Sequence, residues 1–516
     1  MNTVVIVAFV LGTFWIVQKG IAFRKAVQAT HPGLRSLLNV WGIAGLLPPI
    51  RSVNGGERWQ WHRKYDIYGD AGVDILSYVS ALPNAYTNVA LADAAAIKEV
   101  IGSRQRFPKP VELYTGLLFF GGNIVASEGD LWKKYRKVCG PSFSEPNNRL
   151  VWAETVSVMN DLFENVWGGK KEVVFDHALE VFMPIALFVV GAAAFGRRMT
   201  WNEKFVPSAP GQLSFKDTLH HVSEGFFVKI FIPKWAARFN KRYSQVHFAY
   251  DELQRYMHEM IDARRSAEKK EERHDLLSSL LDANDADEDG NSKLTDQELL
   301  ANIFIFLLAG HETTAHTLCF AMALLALYPD EQSRVYEAIT KAIPDGRDPT
   351  IQDLPNLSYV EAVMNETLRM HPPAINVPKV AAEDTILSTT NSAGETVVVP
   401  VPAGSGVNLH IIALHHNPKY WEDPHKFDPS RFLGDWPRDA FMPFSGGVRS
   451  CLGRRFSELE TVVVLTMLLQ KYKITIKEEP EFAGETFEQR KARVLKAKVA
   501  MTITPLRVPL VFTRRG

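Results

Sequence analysis

The residue best suited to chemistry is Cys451, which ends the run FSGGVRSC and is followed by Leu-Gly. A cysteine binds a metal only as the thiolate, and a thiolate is favoured by the amides at the start of a helix. A helical pattern begins directly after Cys451. Gly447 and Gly453 let the backbone come close to the sulfur and to a bound group, where a Cβ would clash. The segment therefore predicts a thiolate metal ligand, whereas Cys139 and Cys319 lie in no such pattern and are interpreted as inert buried residues.

A second constellation is the run AGHETT at residues 309–314, in the middle of an almost wholly apolar helical stretch. Such a stretch is typical of a helix through the centre of a protein. The hydroxyl of Thr313 is expected to donate to the carbonyl four residues earlier, at Ala309. With Glu312 it is placed to deliver protons. The small residues Ala309 and Gly310 leave space over a flat cofactor.

Charged and aromatic residues at helical spacing form a third group. Glu366 and Arg369 share one face of a predicted helix that ends before His-Pro-Pro, and Trp132 shares a face with Arg136. Arg431 lies in the run FDPSRF at residues 427–432. Each pair taken alone is ordinary surface-helix chemistry, so only their order along the chain is informative.

Together these motifs, from Trp132 to Gly453, resemble the cytochrome P450 superfamily in order and spacing. The resemblance implies that Cys451 is the axial ligand of the iron of haem b, as in the haem-thiolate class in which the thiolate donates electron density. It implies that Phe444 packs beside the sulfur and that Ala309 and Gly310 lie over the cofactor. It further assigns Glu312 and Thr313 as the catalytic proton-delivery pair.

The same resemblance implies roles for the remaining charged residues. Contacts to the haem propionates are expected from Trp132, Arg136, Arg449 and Lys379. Many relatives have arginine where this chain has Lys379, and the lysine keeps the charge but loses the bidentate fork. A structural cluster that fixes the cysteine loop is expected from Glu366, Arg369 and Arg431, because buried charges must be fully paired.

The predicted architecture is mainly α-helical with small β-sheets, the cytochrome P450 fold. It comprises an N-terminal membrane anchor at residues 1–23, a hinge-like linker at 24–50 and a single large catalytic domain at 51–516. Helical patterns dominate residues 94–341 and recur at 358–370 and 454–471. Strand-like runs occur at 396–401 and 499–512.

The N-terminus predicts an uncleaved transmembrane helix. Residues 4–17 are apolar, and counting to Phe23, with Lys19 snorkelling, gives a length sufficient for a bilayer. Lys19, Arg24 and Lys25 follow the run and no basic residue precedes it, so the remainder is expected on the cytoplasmic side of the endoplasmic reticulum membrane. A cleaved signal peptide is the alternative, but a basic start and a cleavage site are not evident.

The composition of the chain limits the kinds of binding partner and cofactor domain to be expected. The 516 residues carry net charge +0, so nucleic acid is not an implied partner. Three cysteines do not make a disulfide framework. No GxGxxG fingerprint is evident and the length leaves no room for a fused flavin domain, so the resemblance implies a separate NADPH-dependent reductase in the same membrane.

The substrate pocket is placed by analogy and is mostly apolar. A lipophilic substrate, such as a terpenoid, sterol or fatty acid, is therefore expected. Ordinary core packing is the alternative for several of its members, which are Leu117, Phe119, Phe120, Phe304, Leu308, Ala374 and Ile375. The run 225–233 with Lys234 and Trp235 resembles a loop that dips into the membrane.

The implied reaction is insertion of one oxygen atom into an unactivated C–H bond. Two alternatives stay open at this stage. An isomerase or dehydratase on the same scaffold would rearrange a peroxide without external electrons, and the intact Glu312-Thr313 pair speaks against it. A non-catalytic haem protein for sensing or lipid binding would consume no NADPH.

Overall fold

The computed structural model describes residues 3–30, 33–39, 50, 52–54, 59–201, 212–266, 274–285 and 293–516. Within the predicted linker at 24–50, residues 31, 32 and 40–49 lie outside the described residues. The chain forms two compact units. The first comprises Met1–Pro110, Asn365–Cys451 and Ala497–Thr504, and the second comprises Val111–Met364, Leu452–Lys496 and Pro505–Gly516. The domain limits proposed from the sequence stay a prediction.

Helices dominate the described chain, as predicted. Their bounds are α1 Thr3–Gln28, α2 Trp59–Arg63, α3 Asp66–Ala71, α4 Ala94–Gly102, α5 Gly129–Cys139, α6 Glu145–Asp161, α7 Leu179–Phe195, α8 Phe215–Glu224, α9 Phe226–Phe231, α10 Lys234–Ala237, α11 Lys241–Arg265, α12 Leu276–Asp285, α13 Asp296–Leu327, α14 Pro329–Ala342, α15 Ser358–Met370, α16 Ile411–Leu414, α17 Arg454–Lys471 and α18 Phe487–Val494.

The strands are short and form small sheets. Their bounds are β1 Gly33–Leu38, β2 Ile75–Leu82, β3 Tyr86–Leu91, β4 Glu172–Phe175, β5 Val377–Val380, β6 Thr385–Thr390, β7 Thr396–Val401, β8 Gly406–Leu409, β9 Tyr472–Ile476, β10 Ala497–Val499, β11 Ile503–Pro505 and β12 Leu510–Arg514.

The first unit is built on a five-stranded mixed sheet in the order β1-β2-β3-β8-β5. The pairs β1–β2 and β3–β8 are parallel, and β2–β3 and β5–β8 are antiparallel. The first six residues of β2 are all buried, so both faces of this strand are covered. The hairpin β6–β7 and the small β10–β11 pair complete the sheets of this unit.

The second unit is built around α13, which is buried along most of its length. A capping box starts this helix: Thr295 Oγ1 accepts from the amide of Glu298, and Glu298 accepts from the amide of Thr295. Such a reciprocal cap satisfies two amide donors that the helix itself leaves unpaired. The antiparallel sheet β4-β12-β9 lies in the same unit.

The mainly α-helical architecture with small sheets is confirmed. The helices α15 and α17 and the strand β7 have the predicted bounds, whereas the strand-like run 499–512 is divided among three short strands. The N-terminal helix continues past Phe23 to Gln28, and β1 lies in the stretch predicted as linker. The sequence did not reveal β1, because its role depends on pairing with the distant β2.

Two helices are long and apolar enough to cross a membrane by length and composition. In the helix at residues 5–28 none of the apolar window is buried, whereas 72% of the window in α13 is buried inside the protein. The second is therefore a core helix. The first matches the predicted anchor.

Candidate functional site

Cys451 is the exposed member of the three cysteines, and Cys139 and Cys319 are buried. Burial raises the pKa of Cys139 to about 12, although the charge of Arg136 lowers it, and burial also raises the pKa of Cys319. Both buried thiols therefore stay protonated, as predicted. Of the three cysteines, Cys451 is therefore the one whose side chain is accessible.

The cysteine loop, residues 444–451, is closed by its own backbone. The Cys451 amide donates to the Phe444 carbonyl at 3.0 Å, and the Ser450 amide donates to the Gly447 carbonyl at 3.1 Å. Gly447 has φ +65°, and a Cβ there would lie 3.2 Å from the carbonyl oxygen of Ile101. A side chain at this position would therefore be strained both by the left-handed backbone conformation and by the close approach of the Ile101 carbonyl.

Gly453 behaves differently from Gly447. Its φ is −82°, and a Cβ would have its nearest protein atom, in Phe143, at 3.9 Å. The protein itself therefore leaves room for a side chain, and any need for glycine here rests on a bound group. The helix that the sequence predicts after Cys451 begins at Arg454, as α17.

The predicted charge cluster is present and buried. Arg369 makes a bidentate pair with Glu366, with nitrogen–oxygen distances of 2.7 and 2.8 Å, and both side chains are 0% exposed. Arg431 Nε lies 3.4 Å from Glu366 Oε1. The same oxygen accepts from the Asp428 amide at 3.0 Å. The Glu–Arg–Arg arrangement expected from the sequence is therefore assembled, and the carboxylate also holds the chain just before Arg431.

His415, which the sequence did not identify, connects this cluster to the cysteine loop. Arg369 Nη1 donates to the His415 carbonyl at 2.7 Å. His415 Nε2 accepts from the Met442 amide at 2.9 Å, so Nδ1 carries the proton that it donates to the Arg369 carbonyl at 3.2 Å. The Met442 carbonyl in turn accepts from Ser445 in the loop. Burial, and then the charge of Arg369, lower the pKa of His415 to about 3, so the ring stays neutral.

The other predicted site residues of the first unit differ in how far they are buried. Phe444 and Arg449 are half-buried in the cysteine loop. Lys379 is buried in β5, opposite Val407 of β8. Ala374 is exposed and Ile375 is buried.

The backbone beside Ala374 is hydrogen-bonded to segments that are distant in the sequence. The Ile503 amide donates to the Pro373 carbonyl at 3.0 Å, and the Ile412 amide donates to the Ile375 carbonyl at 3.1 Å. The pocket prediction had grouped residues 374–377 with the region near Ile503. The backbone brings these two segments together.

In the second unit, α13 has one accessible stretch at the predicted motif. Ala309 is exposed, and Gly310, Glu312 and Thr313 are half-buried, whereas the residues on either side are buried. Thr313 Oγ1 donates to the Ala309 carbonyl at 3.0 Å, as predicted. Packing also favours glycine at position 310, because a Cβ there would lie 3.1 Å from Val190 of α7.

Two neighbours of this stretch have structural roles that the sequence did not reveal. His311 donates from Nδ1 to the Leu307 carbonyl at 2.7 Å, and its Nε2 lies 3.3 Å from Ser223 Oγ of α8. Burial lowers the pKa of His311, so the ring is a neutral link between two helices. Thr314 Oγ1 lies 3.1 Å from Ser457 Oγ of α17.

Trp132 and Arg136 lie one turn apart on α5, the tryptophan buried and the arginine half-buried. The helix is fixed to the start of α13 through Glu298. Lys134 Nζ donates to this carboxylate at 2.7 Å and the Tyr135 hydroxyl donates at 3.0 Å.

Three of the predicted pocket residues of the second unit, Phe119, Phe120 and Phe304, meet in an aromatic cluster. Phe304 and Leu308 are buried, and Leu117, Phe119 and Phe120 are half-buried. The rings of Phe120 and Phe304 lie 4.9 Å apart in edge-to-face geometry. Two residues not predicted complete the cluster: Phe226 of α9 and Tyr250 of α11 lie 5.9 and 5.2 Å from Phe119.

Comparisons with known proteins show the family and the fold. The sequence model of the family "Cytochrome P450" matches residues 78–498. Cytochrome P450 monooxygenase 124 of Postia placenta is 51% identical over 100% of both chains. Cyclooctat-9-en-7-ol 5-monooxygenase of Streptomyces melanosporofaciens is 29% identical over 73% of this chain and 78% of its own. The crystal structure of a cytochrome P450DA heme domain has TM-score 0.73 at 22% identity, over 94% and 98% of the two chains, which shows the same fold.

The link through His415 gives a test of what holds the cysteine loop. His415→Leu leaves the Met442 amide without its acceptor, which costs about 1–3 kcal/mol for a buried donor. We expect a lower free energy of unfolding in urea and less haem retained per chain after gel filtration. His220→Leu, at an exposed position, is the control. Unchanged stability and haem content in His415→Leu would show that the loop is held by other contacts.

Proposed function

The chain belongs to the cytochrome P450 family of oxidoreductases, and on that premise we propose that it inserts one oxygen atom from O2 into a C–H bond of a lipophilic substrate. The second oxygen atom leaves as water, and the balance needs two electrons and two protons. The electrons are supplied by a separate NADPH-dependent reductase. The observation that carries the proposal is the accessible thiol of Cys451 on a loop braced by buried charges.

The family implies a haem cofactor, and the residues present fit one. Cys451 supplies an accessible sulfur ligand, and the accessible part of α13 is a stretch of small residues at Ala309 and Gly310. We assign haem b, with propionate contacts from Arg449, Trp132, Arg136 and Lys379. When bound, haem supplies the activation of dioxygen, and the protein supplies binding, orientation and proton delivery.

Proton delivery is assigned to Glu312 and Thr313. The Thr313 hydroxyl donates to the Ala309 carbonyl, so its oxygen keeps its lone pairs for a proton carried on a water or a carboxylic acid. Glu312 is the adjacent half-buried carboxyl group. A protein that rearranges a peroxide or only senses haem ligands needs no such pair, and the comparisons do not favour either alternative.

We also propose that the protein is a single-pass membrane protein of the endoplasmic reticulum, with its catalytic part in the cytoplasm. Large apolar side chains are exposed on α1 from Val5 to Ile21. A second exposed apolar surface lies on the segment 226–239, where the loop expected from the sequence is two short helices, α9 and α10. Its exposed aromatic residues are Phe227, Phe231, Trp235 and Phe239. Aromatic side chains beside lysines are typical of interfacial contact.

The function is tested first by the absorption spectrum of the reduced protein with carbon monoxide. Wild type is expected to show the strongly red-shifted band of thiolate-ligated haem, and Cys451→Ala is expected to lose it, because the other two cysteines are buried. Cys319→Ala is the matched control and keeps the band. NADPH consumption with a reductase and a lipophilic substrate then separates a monooxygenase from the alternatives. A red-shifted band that survives in Cys451→Ala contradicts the ligand assignment.

Thr313→Ala tests the proton assignment. The ratio of product formed to NADPH oxidised should fall at least about tenfold, since general acid catalysis contributes on the order of 10²–10⁴. Thr317→Ala removes a hydroxyl one turn along the same helix, which bonds the Thr313 carbonyl, and should leave the ratio near wild type. Equal ratios in wild type and Thr313→Ala contradict the role.

The second membrane surface is tested in a chain without residues 1–28, so that α1 does not dominate binding. Sedimentation with phosphatidylcholine vesicles should fall about tenfold when Phe227, Phe231 and Trp235 are changed to serine, because three exposed apolar groups are lost. Phe487→Ser, at an equally exposed aromatic on α18, is the control. If all variants sediment alike, α9 and α10 do not contact the membrane.

A further inference from the structure

Asn302 of α13 is a buried polar residue to which the proposed function assigns no role. Its side chain is 0% exposed and makes two hydrogen bonds to backbone groups. The Oδ1 atom accepts from the Ile124 amide at 2.9 Å, and Nδ2 donates to the Glu298 carbonyl, one turn earlier in the helix, at 2.8 Å. The side-chain amide therefore joins the backbone of α13 to a segment 178 residues earlier in the chain.

This segment, residues 123–126, is also fixed from within. Asn123 is 0% exposed, and its Oδ1 accepts from the amides of Val125 and Ala126 at 3.1 and 3.0 Å. Its Nδ2 donates to the Leu117 carbonyl at 2.9 Å, which ties the segment to the predicted pocket residues before it. Val125 and Ala126 are half-buried, so the segment keeps accessible apolar surface.

Two glycines let the chain just before the segment approach its neighbours closely. A Cβ at Gly121 would lie 3.0 Å from the side chain of Gln297 on α13, and a Cβ at Gly122 would lie 2.6 Å from the Tyr135 hydroxyl on α5. A larger residue at either position would require its neighbour to move. These contacts and the bond to Asn302 hold the segment against the start of α13.

The helix face that carries Asn302 is also the face on which α13 becomes accessible. Residues 302, 306, 309 and 313 follow the spacing i, i+4, i+7 and i+11, so they lie along one face. Asn302 is buried there, whereas Phe306 and Thr313 are half-buried and Ala309 is exposed. Asn302 and Ala309 are separated by a rise of roughly 10 Å. The bond to Ile124 therefore borders the accessible part of this face.

We propose that Asn302 is a positioning residue for the substrate. Through the Ile124 amide it fixes the segment 123–126 beside the accessible face of α13, and this segment is the wall against which a lipophilic substrate packs. Because Asn302 and Thr313 lie on one continuous helix, the wall keeps a constant position relative to the residue assigned to proton delivery. The inference rests on the proposed monooxygenase function.

The test uses the holoprotein and two ligands of haem iron that differ in size. Imidazole binds the iron without reaching far from it, whereas 1-phenylimidazole adds a phenyl ring that meets the walls of the pocket. Kd for each is measured from the shift of the haem absorption band. Asn302→Leu keeps the side-chain size and leaves the Ile124 amide without its acceptor. It should weaken 1-phenylimidazole about fivefold or more and change imidazole less than about twofold.

A conservative variant and a matched control separate positioning from stability. Asn302→Asp keeps an acceptor oxygen for the Ile124 amide, so the ratio of the two Kd values should return most of the way to wild type. The control is Asn284→Leu on α12, because Asn284 is also buried and its Oδ1 accepts from the Leu294 amide at 2.5 Å. The same change there removes the same kind of bond, and its Kd ratio should equal that of wild type.

Equal weakening of both ligands in Asn302→Leu, or a Kd ratio no different from that of the control, overturns the proposal. If Asn302→Leu retains no haem, Asn123→Ala is measured in its place, because it loosens the segment without changing α13. The same loss of 1-phenylimidazole affinity is then expected, and an unchanged ratio overturns the proposal. The reduced carbon monoxide spectrum reports separately on the proposed function. A wild type without the red-shifted band fails that function, whereas variants that keep the band and an unchanged ratio fail this inference alone.

Discussion

The buried ion pair between Glu366 and Arg369 is the interaction on which the site depends. Two charges with no exposed surface are costly to desolvate, and removing one partner of such a pair typically costs about 3–5 kcal/mol. The structure offsets that cost with a further donor to the carboxylate, the Asp428 amide, with the nearby charge of Arg431, and with two backbone acceptors for the guanidinium. Trp421, itself buried, adds its ring at 5.4 Å from the guanidinium. The three bonds to backbone groups of Asp428, His415 and Lys426 hold those segments in place.

The backbone segments that the pair fixes lead to the ligand. Through the carbonyl and ring of His415 the constraint reaches Met442, and the next hydrogen bonds close the loop that ends in Cys451. Because the ring of His415 is neutral and hydrogen-bonded at both nitrogens, these hydrogen bonds do not change with pH in the neutral range. The position of the thiol thus depends on a buried network as well as on the hydrogen bonds within the loop. A fixed ligand position is what a thiolate site needs for a stable coordination geometry.

The polar side chains in the middle of the buried helix α13 have different hydrogen-bond partners. His311 bonds α8 and Thr314 contacts α17, so these two hold the helix against its neighbours. Thr313 and Thr317 each donate to a carbonyl of their own helix, but Thr317 is buried and Thr313 is half-buried beside the exposed Ala309. Polar groups in an apolar helix must be satisfied, and a bond within the helix satisfies the Thr313 hydroxyl without a partner on another element. This is why we propose Thr313 for proton delivery.

The sequence predicted the contacts that depend on spacing along one element. Thr313 with Ala309 and Glu366 with Arg369 follow from helical periodicity, and these two contacts are confirmed. The sequence did not predict the structural role of His415, because nothing in the run of two histidines and an asparagine indicates that the Met442 amide will donate to the His415 ring. Nor did it predict β2, since a strand buried on both faces lacks alternation.

The loop that carries Cys451 and the short helix α9 are held in different ways. The loop is tied into a network of buried hydrogen bonds, whereas α9 has six residues and no side-chain cap at its start. The contacts of α9 with the protein are largely apolar, through buried Phe226 and through Ile230 against Gly116. Because elements with few buried polar contacts open locally at low free energy, α9 is expected to open more easily than the loop that carries Cys451.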